Sequence, residues 1–169
     1  VARQANFILN TGPYADMGVS VVRCVGEKWT WLYNRCPNIK FDAKLVYTNT
    51  PVASGVRGWG EPQAMFGCES QMDKIAEELG IDPLELRMKN VARPGDFNPK
   101  LFGMSIGSCG IQECMMRGSK EIGWEKRKNQ PSASKGAKKR GIGMGLGVHA
   151  SGGWPKAPQR AAALLKLHE

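Results

Sequence analysis

Between residues 55 and 60 the chain reads Gly-Val-Arg-Gly-Trp-Gly, and Glu61-Pro62 follows at once. Glycine accepts left-handed backbone and lets the main chain approach another group closely. Proline suits the first turn of a helix, where its missing N–H would have had no partner anyway. The hexapeptide therefore commits the chain to a sharp turn that ends in a helix. On its upstream side, Phe41–Thr48 is rich in β-branched and aromatic residues and is the clearest strand of the sequence. A loop runs from Asn49 to Gly60. On its downstream side, Met65, Phe66, Met72, Ile75, Ala76 and Leu79 recur at helical spacing until Gly80 stops the pattern.

The same hexapeptide is the sharpest chemical feature. Clustered glycines allow several backbone N–H groups to face one anion, and the helix that follows adds its positive end. Arg57 can form paired hydrogen bonds to a phosphate or carboxylate, and Trp59 offers a flat apolar wall. The loop is neither a Walker A sequence, since no Gly-Lys-Ser/Thr follows, nor GxGxxG. The residues alone leave two readings open: an anion loop, or a plain strand-to-helix turn carrying a surface arginine.

The remaining pattern is α+β. Phe7-Ile-Leu9 and Val19–Val25 read as short strands separated by the turn set Asn10-Thr-Gly-Pro13. Asp82 reads as the cap of a second helix, with Pro83 first in it and Glu85 third in a capping box. Arg93-Pro-Gly-Asp96 is a turn. Residues 108–123 predict another helix, capped by Ser108, with Ile111, Met115 and Ile122 facing a core. Gly141–His149 alternates glycine with apolar residues, as expected of a strand pressed against something on one face. Ala161–Glu169 would begin a partner strand. Asp73, Glu77 and Glu78 read as a solvated face, and Met65, Met72 and Met88 as core.

The net charge of +9 is local. Nine basic residues against Glu121 and Glu125 give the stretch 117–140 a charge of +7. Residues 126–140 have little apolar content and read as an exposed basic linker. The same stretch supports an alternative reading as a nucleic-acid or acidic-partner binding module. Aromatic side chains are not interleaved with it, as stacking on single strands would want. The 41% hydrophobic content is enough for a core, and no apolar run approaches the ~18 residues of a membrane span. The five cysteines include no CxxC pair, and neither His149 nor His168 stands at metal spacing from a cysteine, so reduced thiols without a metal are expected. No Ser/His/Asp or Cys/His catalytic set can be assembled. Cys68 reads as a buried helix cysteine rather than an activated one.

Tyr47-Thr-Asn-Thr-Pro-Val-Ala-Ser-Gly-Val-Arg-Gly-Trp-Gly-Glu-Pro-Gln63 resembles the YTN-x-P…RG(F/Y)G-x-PQ signature of molybdenum hydroxylases. The resemblance continues through Glu69-Ser-Gln-Met-Asp73, Ala76–Asn90 and Arg93–Asp96. Thr11–Gly18 is similar to an upstream segment of the same family, the molybdopterin-binding large subunits of xanthine dehydrogenases and aldehyde oxidases. Arg140–Met144 and Ala162–Glu169 are similar to the opening strands of its second molybdopterin-binding domain.

The resemblance implies parts of two molybdopterin-binding subdomains. Residues 1–125 would close the first, 126–139 would be the basic linker, and 140–169 would start the second. It implies hydroxylation of an aldehyde or an N-heteroaromatic or aromatic substrate with water as the oxygen source. Electrons would pass from the molybdenum centre to iron–sulfur clusters and FAD on partner subunits or domains. By position, the backbone around Gly55, Val56, Arg57 and Gly58 would contact the cofactor, and Trp59 would pack on the substrate. A cytoplasmic oligomer of heteromers is expected, with neither nucleic acid nor membrane as partner. Val56 stands where the family usually has Phe or Met, and Trp59 where it has Phe or Tyr, both positions that bear on substrate size. The segment 53–57 lacks the cysteine of carbon monoxide dehydrogenases. The family's MGQG motif and catalytic glutamate are absent from the 169 residues and are expected beyond Glu169. The sequence is thus expected to be a fragment that alone holds no molybdenum cofactor and turns over nothing.

Overall fold

The computed structural model describes residues 2–98, 104–128, 141–149, 162–164 and 166. The chain opens with a strand, β1 (Ala2–Gly12), a helix, α1 (Gly18–Trp31), and a second strand, β2 (Asn38–Tyr47). β1 and β2 pair in parallel, from Ala2 opposite Asn38 to Leu9 opposite Leu45, with an irregularity between Asn10 and Gly12. Parallel neighbours require a crossover, and α1 supplies it.

This corrects the expectation of a strand at Val19–Val25. A seven-residue window of β-branched residues favours a strand, but the apolar positions continue beyond it at helical spacing. Val21, Val25, Trp29 and Leu32 fall on one side of α1, and the last three are buried. Burial along that stripe overrides local strand preference. The inward residues of the strands, among them Phe7, Leu9, Ile39 and Phe41, pack against the same stripe. Phe7 and Phe41 stand 5.4 Å apart between ring centres, and Trp29 and Phe41 6.1 Å. Gly26 permits this contact, because a Cβ there would lie 2.8 Å from the Phe41 ring.

After the loop come α2 (Glu61–Leu79) and α3 (Pro83–Asn90). Gly80 ends α2 in the left-handed conformation, and the Asp82 side chain caps α3 by accepting from the Leu84 N–H at 2.8 Å. Both stops follow the sequence. Glu85 does not close the capping box back onto Asp82; its carboxylate pairs with Lys89 at 2.6 Å. Met65 and Ala76 are buried and Met72 packs on the core, whereas Phe66, Ile75 and Leu79 are exposed.

The Arg93–Asp96 turn forms as expected, with the Asp96 N–H donating to the Arg93 carbonyl at 3.1 Å. It leads into a two-residue antiparallel pair, β3 (Phe97–Asn98) with β4 (Met104–Ser105), which the sequence did not announce. The last helix, α4 (Ile111–Glu121), starts at Gly110 rather than Ser108. It buries Met115, while Ile122, expected in the core, is half exposed.

A short 3-10 turn over Trp124–Lys128 follows. Its Arg127 is not a solvated linker residue. The guanidinium stacks 3.8 Å over the Trp124 ring and bonds the Asp82 carboxylate. Residues 129–140, the rest of the basic linker, lie outside the described residues. Residues 141–149 form no assigned strand, but their alternation survives. Met144, Leu146 and Val148 pack on the core, while Gly141, Gly143 and Gly145 face open space. The partner strand expected at 161–169 falls largely outside the described residues, and 162–164 and 166 carry no regular structure.

Candidate functional site at the glycine loop

The end of β1 anchors the loop between β2 and α2. The Thr48 and Ala53 N–H groups donate to the carbonyls of Gly12 and Thr11 at 2.9 and 3.2 Å. The side chains of Asn10, Thr48 and Thr50 bond one another across the same junction. Gly12, at φ +74°, lets the two segments touch, since a Cβ there would lie 2.6 Å from the Pro51 carbonyl oxygen.

Residues 55–60 then turn twice. The Trp59 N–H donates to the Val56 carbonyl at 2.8 Å, and the Glu61 N–H to the Gly58 carbonyl at 2.9 Å. Gly58, Trp59 and Gly60 all have positive φ, at +93°, +45° and +86°. A tryptophan there is strained, because L-residues with a Cβ rarely adopt that region. Gly60 is also pressed into the core, where a Cβ would stand 2.4 Å from Val25. The Trp59 indole lies over Gly55, where a Cβ would be 3.1 Å from Nε1. Val56 and Arg57 project into solvent.

Gly55, Val56, Arg57, Gly58 and Trp59 thus form one exposed surface in front of α2. Among the described residues, nothing accepts from the backbone N–H groups of Gly55, Val56, Arg57 or Gly58, and Arg57 has no ion pair. Gly60 caps α2 without a side-chain bond. Free donors, a free guanidinium and an uncapped helix start suit an anionic group beside an aromatic face. A cleft of about 300 Å³ opens next to this surface, between Leu9, Val21 and Val25 on one side and Ala53, Ser54 and Gln63 on the other. Val56, Arg57 and Trp59 do not line it.

Behind the loop lies a buried polar cluster that the sequence reasoning missed. Arg87 is fully buried and donates through Nε to Glu69 Oε2 at 2.7 Å. Glu69 Oε1 accepts from the Tyr33 hydroxyl at 2.6 Å, and Oε2 from the Leu146 N–H at 3.1 Å. Asp73 lies on the exposed face expected of it, with Glu77 and Glu78, and from there also pairs with Arg87 at 2.8 Å. Burial first, and then the Glu69 charge, push the Tyr33 hydroxyl far up, so it stays a donor. Burial lowers the affinity of Arg87 for its proton, but the bond and charge of Glu69 more than offset this and raise it. The only hint in the sequence is that Glu69 and Arg87 each sit among the apolar residues of an amphipathic helix.

A second pairing, of His149 Nδ1 with Glu61 Oε2 at 2.9 Å, joins residues too distant in sequence for spacing to reveal. No disulfide joins the five cysteines, and Cys68 is buried as expected. Burial pushes its thiol up, against the opposing charge of Arg3. Among the described residues no three His, Cys, Asp or Glu side chains converge to hold a metal, and no helix is long and apolar enough to cross a membrane.

Residues 1–91 match the model of the molybdopterin cofactor-binding domain. The chain belongs to this family. It is similar to the xanthine dehydrogenase molybdenum-binding subunit of Escherichia coli O157:H7, 40% identical over 160 residues, covering 95% of this chain and 21% of that protein. It is also similar to the aldehyde oxidoreductase of Megalodesulfovibrio gigas, 35% identical over 152 residues, covering 90% of this chain and 16% of that protein. Among solved structures, the aldehyde oxidoreductase of Desulfovibrio gigas matches with a TM-score of 0.62 and 34% identity, over 77% of this chain and 15% of the other. The chain therefore spans about a fifth or less of the length of these relatives. The helices and small parallel sheet agree with the α+β class expected from the sequence.

Proposed function

We propose that this chain supplies the glycine-loop wall of the active site in a molybdenum-dependent oxidoreductase. The enzyme hydroxylates an aldehyde or an N-heteroaromatic substrate. Gly55, Val56, Arg57 and Gly58 line the cofactor, and Trp59 packs on the substrate. The observation that carries the reading is one exposed turn whose backbone N–H groups at residues 55–58 and Arg57 have no partner among the described residues, next to Trp59 in a strained left-handed conformation. Strain of this kind concentrates at functional sites.

When bound, the molybdenum cofactor takes the electrons of the reaction, and water supplies the oxygen. The chain's own contribution is placement. The loop's N–H donors and Arg57 hold anionic oxygens without further rearrangement, and the indole face orients a planar substrate. Residues 1–125 close one molybdopterin-binding domain, 126–139 link it, and 140–169 begin the next. Iron–sulfur and FAD subunits or domains carry the electrons onward in a cytoplasmic heteromeric assembly.

The test uses the full-length protein that carries this sequence, assayed with purines and aromatic aldehydes and a dye acceptor. Trp59→Ala is expected to raise KM by about tenfold, the worth of one good aromatic contact, while the molybdenum content stays at the wild-type level. Unchanged KM for every accepted substrate refutes the placement of Trp59.

A further inference from the structure

Glu61 links two segments, one through its backbone N–H and one through its carboxylate. Its N–H donates to the Gly58 carbonyl at 2.9 Å and closes the turn that holds Trp59. Its side chain, 19% exposed, reaches the other way: Oε2 pairs with His149 Nδ1 at 2.9 Å. The second oxygen lies against Gly147, where a Cβ would come within 3.0 Å of it. Any residue larger than glycine at 147 would push on the carboxylate, so the approach is built from both sides.

The segment 141–149 is fixed elsewhere by deeper contacts. The Leu146 N–H donates to Glu69, Arg87 donates to the Met144 carbonyl at 3.4 Å, and Met144, Leu146 and Val148 pack on the core. These contacts give the segment a firm base, and Glu61 carries its end to the glycine loop. Glu61 is also the first residue of α2, so its side chain is set by a regular helix. Gly58 and Gly60, by contrast, flank Trp59 with the least conformational restraint of any residue. Gly60 is held by its contact with Val25, and Glu61 adds a tie from outside the loop.

We propose that Glu61 is a positioning residue: through His149 it fastens segment 141–149 to the glycine loop and so fixes the angle of Trp59. The contact stands on geometry alone; its effect on turnover rests on the reading of the loop as the active-site wall.

The experiment compares Glu61→Gln, His149→Gln and the double variant in the full-length protein, by hydrogen–deuterium exchange of peptides covering 55–61 and 141–149. Each single variant is expected to speed exchange in both segments roughly fivefold, the worth of a partly exposed hydrogen bond. The double variant is expected to do no more than either single one, because the two share one bond. Glu61→Gln should also raise KM more than it lowers kcat. Faster exchange in 141–149 with wild-type exchange in 55–61 overturns the proposal, as does no change in either segment. If 55–61 loosens while KM stays put, the positioning stands and the placement of Trp59 on the substrate falls.

Discussion

Replacing Arg87 by methionine removes the cation from a carboxylate that has little water to turn to. Arg87 is fully buried and the Glu69 side chain is only 9% exposed. Removing one partner of a buried pair typically costs about 3–5 kcal/mol, because the other charge is left uncompensated. Two features place this variant near the lower end. The Tyr33 hydroxyl and the Leu146 N–H still donate to Glu69, and methionine refills most of the vacated space without a polar atom. The bond to Asp73 adds little, since that carboxylate is half exposed. A loss of about 3 kcal/mol is a large part of the ~5–15 kcal/mol that holds a domain together.

Adding Glu69→Gln to Arg87→Met removes the orphan charge and keeps an acceptor for Tyr33, so the double variant should lose less than Arg87→Met alone. Native-state hydrogen exchange of the α2 and α3 amides in the full-length protein reads both free energies locally. An Arg87→Met variant within about 0.5 kcal/mol of wild type, or a double variant as damaged as the single, would refute the account of the cluster as a charge-compensated core element.

Two further outcomes test the loop and the α3 cap. Gly60→Ala places a Cβ 2.4 Å from Val25 at φ +86°, whereas Gly80→Ala meets nothing within 4 Å at φ +62°. Adding about 1–3 kcal/mol of overpacking to about 1–2 kcal/mol of left-handed strain, Gly60→Ala should destabilise α1 and α2 far more than Gly80→Ala does, as exchange or urea titration would read. For Asp82, burial opposes ionisation, but the bonds from Arg127, Trp124 and the Leu84 N–H outweigh it and bring the carboxyl down to about 2. Its folded value lies below the unfolded value of about 3.9, so its contribution is present above that value and is lost as pH falls towards about 2. Asp82→Asn keeps an acceptor for the cap and loses the charge; in that variant the thermal midpoint should fall less between pH 4 and 2, with a penalty of up to ~1 kcal/mol at neutral pH.

Much of the middle of the chain was legible because its signals are local. Gly60, Pro62, Gly80, Asp82 and Pro83 punctuate two helices by backbone chemistry that packing cannot easily override. The first third was less legible: Val19–Val25 shows strand-like composition over a window shorter than the helical stripe that continues to Trp29 and Leu32. At the site, the Gly55–Trp59 surface follows from its own residues. The Glu69–Arg87 and Glu61–His149 pairs do not, since each needs the fold to bring together elements that sequence spacing leaves unrelated. The alternation at 141–149 does press one face, that of Met144, Leu146 and Val148, onto the core, but without forming the strand its period suggested.

The strip at 141–149 also sets an order of events during synthesis. β1, α1 and β2 can close on one another once their own residues have emerged, and α2 with α3 can bring Arg87 to Glu69. The Leu146 N–H, which completes the Glu69 carboxylate, is made roughly 60 residues later, on the order of 3–12 s at ~5–20 residues per second. For that interval the nascent chain holds its buried carboxylate one donor short, with the surface meant for Met144, Leu146 and Val148 still uncovered. A ribosome that stalls between Arg87 and Gly141 therefore presents a greasy, partly charged patch of the kind that chaperones bind.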